Sequence, residues 1–146
     1  MSCGIDEAGR GPLAGPVVAG AVIIKKRKFK SRIDDSKLLT PKERQEAFKE
    51  IKKNCLIGLG VVNNKIIDRI NIFQATRLAM KKALSFLRIK PHLLLVDGNM
   101  KLGVPIKTRY IIGGDRRCLS IACASIVAKV TRDRIMEEYH RILPMY

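Results

Sequence analysis

The apolar residues of this chain fall in short runs separated by polar segments, and these runs predict the strands of one sheet. Residues 17–24 combine apolar and small side chains, and residues 92–96 form the continuous apolar run expected of a central strand. Further strands are predicted at residues 2–6, 56–62 and 109–112. The glycine-rich segment between the first two strands indicates that they are neighbours in the sheet.

The helices are predicted from start signals and from apolar residues at helical spacing. Thr40, Pro41 and Glu43 provide an N-cap, a first helical residue and a capping box for a helix that should reach about residue 53. Asn71 with Gln74 is a weaker cap signal, and the apolar spacing after it predicts a second helix that ends before residue 91.

A third, long helix is predicted from about residue 119 to residue 141. It begins with the small-residue stretch SIACASIVAKV, which permits close approach of a helix backbone to a sheet. Strands that alternate with helices predict an α/β domain built on one mixed sheet. At 146 residues, 47% of them hydrophobic, the chain is expected to form one domain with a sizeable core.

Charge indicates the class of partner. Lys and Arg number 29 against 13 Asp and Glu, which gives a formal net charge of +16. A balance this basic favours a polyanion, and nucleic acid above all, although a soluble basic protein without such a partner is the alternative. Within residues 25–32, six of eight side chains are basic. We interpret that run as a solvated turn or hairpin tip in preference to a nucleic-acid patch.

The cysteine spacing and the apolar pattern argue against a zinc-binding protein, a secreted protein and a membrane protein. Cys3, Cys55, Cys118 and Cys123 form no zinc-ligand spacing with one another or with the two histidines. They are interpreted as reduced and mostly buried thiols. No signal-peptide pattern opens the chain, and no apolar stretch is long enough to cross a membrane. We therefore expect a cytoplasmic protein with no membrane partner, and a monomer, because no heptad run is left over.

The position of the acidic residues is the most informative feature. Between residues 69 and 132 the chain carries thirteen basic residues but only two acids, Asp97 and Asp115. Asp97 lies at the end of the strand predicted at residues 92–96, and Asp115 follows the strand predicted at residues 109–112. Asp6 and Glu7 lie at the end of the first predicted strand. Sites of open α/β sheets gather at strand ends. If these three ends are neighbours, the four carboxylates share one pocket.

Carboxylates that crowd together raise one another's pKa unless a cation offsets them. Mg²⁺ takes oxygen ligands at about 2.0–2.1 Å and keeps waters or substrate phosphate in its shell. Two such ions about 3.5–4 Å apart are a standard device for hydrolysing a phosphodiester. The basic surface would then attract the polyanion, and the acidic pocket would hold the metal that cuts it.

Simpler interpretations stay open for each residue. Asp97 precedes a glycine and could be a turn aspartate, and Asp115 could serve only the N-terminus of the last helix. The glycine-rich loop GRGPLAG could be only a tight turn. Its glycines would also let the backbone approach a phosphate or a hydroxyl. It fits neither a dinucleotide-binding fingerprint nor a P-loop.

Four ordered blocks of the chain resemble the type 2 ribonuclease H family, and within it bacterial ribonuclease HII. They are GIDEAGRGPLAGPVVAGAV, DDSKLLTPKER, LLVDGN and GGDRRCLSIACASIVAKVTRDRIM. The resemblance covers nearly the whole chain. It implies a ribonuclease H-like fold, in which a five-stranded mixed sheet is flanked by helices.

The resemblance also implies an activity and a set of site residues. It implies a metal-dependent endonuclease that cleaves the RNA strand of RNA/DNA hybrids and single ribonucleotides embedded in duplex DNA, leaving 5′-phosphate and 3′-hydroxyl ends. Asp6, Glu7, Asp97 and Asp115 would be the catalytic carboxylates and would bind Mg²⁺ or Mn²⁺. The family element that reads the ribose 2′-hydroxyl corresponds to Gly9, Arg10 and Gly11, and that hydroxyl is what separates RNA from DNA. Lys37 is a candidate phosphate contact.

One departure from the family pattern concerns the end of the chain at YHRILPMY. Family members usually continue for several helices and carry a tyrosine that stacks at the junction sugar. Residues 1–146 are therefore expected to be a single catalytic domain without the family's C-terminal extension, and junction preference could be weaker.

Two other functions remain as hypotheses. A non-catalytic basic module would bind many duplexes in a salt-sensitive way and give no metal-dependent product. A branched-DNA resolvase of the same fold is weaker, because DNA offers no 2′-hydroxyl for Gly9, Arg10 and Gly11 to read. For the nuclease, side chains alternate along a strand, so Asp6 and Glu7 should point apart. We expect either a local irregularity there or a role of Glu7 through water or its main chain.

Overall fold

A computed structural model describes residues 1–10 and 15–142 and places five strands in one mixed sheet. The strands are β1 (Ser2–Ala8), β2 (Val17–Ile24), β3 (Cys55–Val62), β4 (Leu93–Asp97) and β5 (Lys107–Ile111). Their spatial order is β3-β2-β1-β4-β5. The β1–β2 and β2–β3 pairs are antiparallel, whereas β1–β4 and β4–β5 are parallel. The predicted strands and the mixed sheet are confirmed.

The helices are α1 (Pro41–Asn54), α2 (Asn64–Ser85), the single turn α3 (Gly114–Arg117) and α4 (Leu119–Ile142), with a short 3-10 helix at Ser36–Leu38. The predicted capping box of α1 is present. The amide of Glu43 donates to Oγ1 of Thr40 at 3.1 Å, and the amide of Thr40 donates to Oε1 of Glu43 at 2.8 Å. These bonds satisfy donors that the first helical turn leaves free.

Helix α2 is longer than predicted because it consists of two helical segments joined at Asn71. That residue is non-helical, with φ 71° and ψ 167°, and its Oδ1 accepts from the amide of Gln74 at 3.0 Å. The predicted cap is therefore confirmed. A preceding segment has its own cap, in which Oδ1 of Asn63 accepts from the amide of Ile66 at 3.1 Å. The sequence prediction missed that first segment.

The sheet carries α2 on one face and α4, with α1 against it, on the other. Glycines let both helix backbones approach closely. A Cβ on Gly60 would lie 1.9 Å from the carbonyl oxygen of Ala79 in α2, and one on Gly4 would lie 2.2 Å from the carbonyl carbon of Ser120 in α4. The predicted close approach of the small-residue helix to the sheet is confirmed. It fixes α4 directly beneath β1, the strand that carries Asp6.

The basic run at residues 25–32 is a loop between β2 and the 3-10 helix, so the interpretation as a hairpin tip is wrong and the solvated turn is right. Residues of α1 hold it. The carbonyl oxygen of Asn54 accepts from the amides of Lys25 and Lys26 at 2.8 and 3.0 Å, and the carboxylate of Glu50 accepts from the amides of Lys30 and Ser31 at 2.7 Å each. The basic side chains are left largely exposed.

All four cysteines are free thiols, and Cys3 and Cys123 are buried. Burial raises the pKa of the Cys3 thiol to about 12. Among the described residues, no helix has both the length and the apolar character that a membrane span requires.

Candidate metal centre

The sheet order brings three aspartates together. Strands β1, β4 and β5 are adjacent and parallel, so their carboxyl ends lie at one edge of the sheet. Asp6 lies near the end of β1, Asp97 is the last residue of β4, and Asp115 lies on α3 just beyond β5. Each offers a carboxylate oxygen, and these oxygens all lie within 4.8 Å of one another. Three acids that are distant in the chain thus form one cluster.

Asp115 is placed by the one-turn helix α3. Gly113 begins this turn in the left-handed region, at φ 67°. The next residue, Gly114, leaves no room for a side chain. A Cβ on it would lie 2.6 Å from Cδ1 of Ile121 and 3.3 Å from Oδ1 of Asp97. The amide of Asp115 faces Oδ1 of Asp97 at 3.4 Å. Asp115 therefore belongs to α3 and not to the first turn of the last helix.

The cluster is electrostatically unfavourable when all its members are ionised. Burial, and then the charges of Glu7, Asp97 and Asp115, raise the pKa of Asp6 well above its usual range. Burial, and then Asp97 and Asp35, raise the pKa of Asp115, while the ammonium of Lys37 lowers it in part. Carboxylates in this state are suited to a hard divalent cation, which offsets their repulsion.

Glu7 is not part of the three-aspartate cluster. The register of β1 against β2 is unbroken from Gly4 to Ala8, so the side chains alternate and the predicted local irregularity is wrong. Oε1 of Glu7 lies 3.7 Å from Nη1 of Arg10. Oε2 is buried and has no hydrogen-bond partner among the described residues. The main chain of Glu7 does reach the cluster, because its amide donates to Oδ1 of Asp6 at 2.8 Å.

Burial raises the pKa of Glu7, whereas a side-chain hydrogen bond with Asp6 and then the charge of Arg10 partly oppose that rise, and the charge of Asp97 adds to it. The Glu7 carboxylate is thus close enough to the cluster to interact with it electrostatically. Its orphaned oxygen is a ligand atom that a hydrated cation, or a water bound to one, could satisfy.

The other predicted site residues lie around this cluster. Gly9 is left-handed, at φ 98°, and Arg10 has a side chain that is 45% exposed and pairs with Glu7. Gly11 lies outside the described residues. Lys37 is exposed on the 3-10 helix, within electrostatic reach of Asp115.

Asp35 is a site neighbour that sequence reasoning missed. It is 7% exposed, it lies against Asp115, and its Oδ1 accepts from the amide of Lys37 at 3.0 Å. Ser125 of α4 anchors the same turn, because its hydroxyl donates to Oγ of Ser36 at 2.8 Å. The sequence signal that could have indicated Asp35 is its place in the DSK triplet. That triplet lies in a segment with neither helical nor strand periodicity, so the pattern did not place Asp35 near the site.

Comparison with known proteins identifies the family. The ribonuclease HII family model matches residues 3–145. The chain belongs to the ribonuclease HII family. It is 50% identical over 145 residues to ribonuclease HII of Caldicellulosiruptor bescii, covering 99% of this chain and 70% of the relative. It is 51% identical over 145 residues to ribonuclease HII of Acholeplasma laidlawii, covering 99% and 71%.

Solved structures confirm the predicted ribonuclease H-like fold. Ribonuclease H2 from Pyrococcus horikoshii superposes with a TM-score of 0.83 at 30% identity, over 96% of this chain and 75% of that one. Bst-RNase HIII in complex with Mn²⁺ shares the fold with a TM-score of 0.69 at 18% identity, over 97% and 54%. This ribonuclease HII chain is therefore an enzyme of the ribonuclease H class that acts on nucleic acid.

Proposed function

We propose that residues 1–146 form a single catalytic domain that cleaves the RNA strand of RNA/DNA hybrids and single ribonucleotides embedded in duplex DNA. The products are 5′-phosphate and 3′-hydroxyl ends. The observation that supports this most is the convergence of Asp6, Asp97 and Asp115, whose carboxylate oxygens lie within 4.8 Å of one another. Membership of the ribonuclease HII family supplies the substrate class.

The residues present fit a divalent cation. Asp6, Asp97 and Asp115 supply hard oxygen ligands, and burial and mutual repulsion raise the pKa of Asp6 and Asp115, a penalty that a bound cation would offset. When bound, Mg²⁺ or Mn²⁺, as one ion or as two, supplies an activated water and stabilises the leaving oxygen. A Mn²⁺ complex of a distant relative with this fold supports the choice of ion.

Glu7 contributes to the aspartate cluster in two ways. Its amide fixes the orientation of the Asp6 carboxylate through the 2.8 Å hydrogen bond. Its buried Oε2 has no hydrogen-bond partner among the described residues, so it would be available to a metal-bound water or to the ion itself. Asp35, whose side chain is hydrogen-bonded to that of Asp115, adds to the negative charge that a cation would offset.

Gly9, Arg10 and Gly11 are proposed to read the 2′-hydroxyl of the ribose. The left-handed Gly9 turns the chain directly after β1, and a backbone without a side chain can approach a sugar closely. Arg10 pairs with Glu7, Lys37 lies within electrostatic reach of Asp115, and both are exposed. They are suited to hold phosphates near the scissile bond, and the net charge of +16 draws the duplex to the protein.

The decisive experiment offers three duplexes: DNA with one ribonucleotide, its all-DNA twin, and an RNA/DNA hybrid. Each is incubated with Mg²⁺, Mn²⁺ or chelator, and the ends of the products are mapped. We expect metal-dependent cuts in the first and third duplexes only. Salt-sensitive binding to all three without any product would favour the non-catalytic module, and cleavage of the all-DNA twin would contradict the 2′-hydroxyl requirement.

The cysteines bear on the cellular setting. Four free thiols favour a reducing compartment, and we propose the cytoplasm. We also propose that the domain acts as a monomer, which sedimentation velocity would test.

A further inference from the structure

We propose that Arg132 of α4 is a positioning residue for the glycine loop, of which the structure describes Gly9, Arg10, Gly15 and Pro16, and that it thereby controls recognition of the ribonucleotide. This inference rests on the proposed function of Gly9, Arg10 and Gly11. Arg132 is distant from that loop in sequence, but its side chain spans the gap between α4 and the loop. It is 8% exposed, and its Nε donates to the carbonyl oxygen of Pro16 at 2.9 Å.

The same side chain packs against both ends of the loop. A Cβ on Gly9 would lie 2.4 Å from Nε and 2.9 Å from Cδ of Arg132. A Cβ on Gly15 would lie 2.9 Å from Nη2 of Arg132 and 2.6 Å from Sδ of Met136. Both glycines have positive φ, at 98° and 129°. The glycines therefore serve two needs, a left-handed backbone and the space that the guanidinium occupies.

The position of α4 is itself fixed. Gly4 of β1 and Gly20 of β2 let α4 lie directly on the sheet at Ser120 and Ala124. Arg132 projects from this fixed helix, so it sets the loop relative to the strand that carries Asp6. A second tether comes from α2 on the opposite face of the sheet, because Oδ1 of Asn64 accepts from the amide of Gly15 at 2.9 Å.

Arginine is suited to this task. Its planar guanidinium presents donors in several fixed directions, one of which is directed at Pro16 from Nε. Lysine has a single mobile ammonium and cannot reproduce an Nε bond halfway along the side chain. We therefore expect even Arg132→Lys to release the loop.

Metal binding and recognition of the ribonucleotide would therefore depend on different parts of the same site. The metal ligands are fixed by β1, β4 and α3, and Arg132 is in hydrogen-bond contact with the loop at Pro16. Loss of Arg132 should therefore impair discrimination between a ribonucleotide and a deoxyribonucleotide, while metal affinity remains.

The test compares Arg132→Met with Arg134→Met in the full chain. Arg134 lies on the same helix and carries the same charge, but it contacts Oε1 of Gln45 at 3.2 Å and the ring of Phe48, 5.0 Å from its centroid. The first readout is hydrogen exchange of peptides that cover residues 4–18. We expect exchange there to accelerate at least about tenfold in Arg132→Met and not in Arg134→Met, because a local tether has been removed.

The second readout is kinetic. In Arg132→Met we expect KM for the duplex with one ribonucleotide to rise at least about tenfold, which corresponds to about 1.4 kcal/mol. The inhibition constant of the all-DNA twin should change no more than in Arg134→Met, and Mn²⁺ affinity from titration calorimetry should be unchanged. A merely structural role would move all three quantities together.

The outcomes are distinguishable. Unchanged exchange in Arg132→Met, or loss of Mn²⁺ affinity together with KM, overturns the inference. If the wild type cuts no duplex, the proposed function fails, and the exchange result still decides whether Arg132 holds the loop. If Arg132→Met does not fold, Arg132→Lys and Gly9→Ala replace it. Gly9→Ala disturbs the same contact from the loop side and should give the same exchange pattern, and normal exchange in both variants contradicts the proposal.

Discussion

The backbone amide of Asp115 faces Oδ1 of Asp97 at 3.4 Å, and this contact joins the one-turn helix α3 to the end of strand β4. The carboxylate of Asp97 thus lies beside the amide and the carboxylate of Asp115 and beside the carboxylate of Asp6 on the adjacent strand. The three-aspartate cluster is therefore built from the sheet order itself, because β4 lies between β1 and β5.

Replacing Asp6 or Asp97 with Asn should nearly abolish cleavage. Asn keeps the volume but removes a charge that the divalent cation requires, so we expect the rate to fall at least about a thousandfold, or about 4 kcal/mol. Duplex binding and the fold should be retained. Asp133→Asn, which removes an exposed carboxylate that pairs with Lys129 at 3.0 Å, is the matched control. A wild-type rate in saturating Mg²⁺ would remove the substituted residue from the mechanism.

The stability of the metal-free protein should depend on Asp6 with a definite sign. Burial and the neighbouring carboxylates raise the pKa of Asp6 well above its usual range. The stability linked to its proton is therefore present at acidic pH and is lost as pH rises through the raised value. In chelator, Asp6→Asn should have a higher unfolding midpoint than the wild type at pH 7.5, and the difference should shrink towards pH 4.

The control residue for that experiment is Asp34, whose contribution to stability should have the opposite dependence on pH. The hydrogen bond from the amide of Asp35 lowers the pKa of Asp34, so its contribution is present at neutral pH and is lost as pH falls. Asp34→Asn should therefore not raise the midpoint at pH 7.5. Equal midpoints for the wild type and Asp6→Asn across this pH range would show that the buried carboxylate carries no electrostatic penalty.

Metal should stabilise the folded protein and should do so through the aspartate cluster. A ligand that binds only the folded state at about a hundred times its Kd adds about 2.7 kcal/mol. We expect saturating Mn²⁺ to raise the unfolding midpoint of the wild type, and chelator to reverse the shift. The shift should be lost in Asp97→Asn and kept in Asp133→Asn. A full shift in Asp97→Asn would mean that the ion binds elsewhere.

The sequence predicted most of this fold because its strongest signals are local. The capping box at Thr40 and Glu43 and the apolar run that became β4 are determined by near neighbours in the chain. The segment before Asn71 was missed because its cap at Asn63 has no acidic residue to close a box. Of the two forms predicted for residues 25–32, a solvated turn or a hairpin tip, the hairpin tip is wrong because tertiary contacts with Asn54 and Glu50 decide the path of that loop.

The candidate site was predictable only in part, for the same reason. The strand-end positions of Asp97 and Asp115 are visible in the hydrophobic pattern, so their meeting with Asp6 could be expected. Asp35 and Arg132 were not visible as site neighbours, because their roles arise from contacts between distant segments. Glu7 is intermediate, since strand alternation correctly leaves its side chain out of the three-aspartate cluster but predicts neither its side-chain interaction with Asp6 nor the bond from its amide to the Asp6 carboxylate.

Lys37 is predicted to contribute to substrate binding and not to the chemical step. Its ammonium is exposed near Asp115, where it can meet a phosphate next to the scissile bond. We expect Lys37→Met to raise KM about threefold to tenfold and to reduce the slope of log K against log salt by about 1, with kcat nearly unchanged. Lys107→Met removes an equal charge at the opposite end of the parallel strands and is the control. A changed kcat with an unchanged KM would contradict this role.

Gly60 is predicted to be essential for stability although it is far from the acids. It lies on β3 opposite Ala19, and a Cβ would meet the carbonyl oxygen of Ala79 at 1.9 Å, a backbone atom that cannot turn aside. Helix α2 must therefore shift in Gly60→Ala, and we expect a loss of at least about 3 kcal/mol in urea unfolding. Gly103→Ala is the control, because a Cβ there meets nothing within 4 Å and the cost is only that of φ 69°, about 1–2 kcal/mol. If Gly60→Ala proved no less stable than Gly103→Ala, the close contact between α2 and β3 would not be a determinant of the fold.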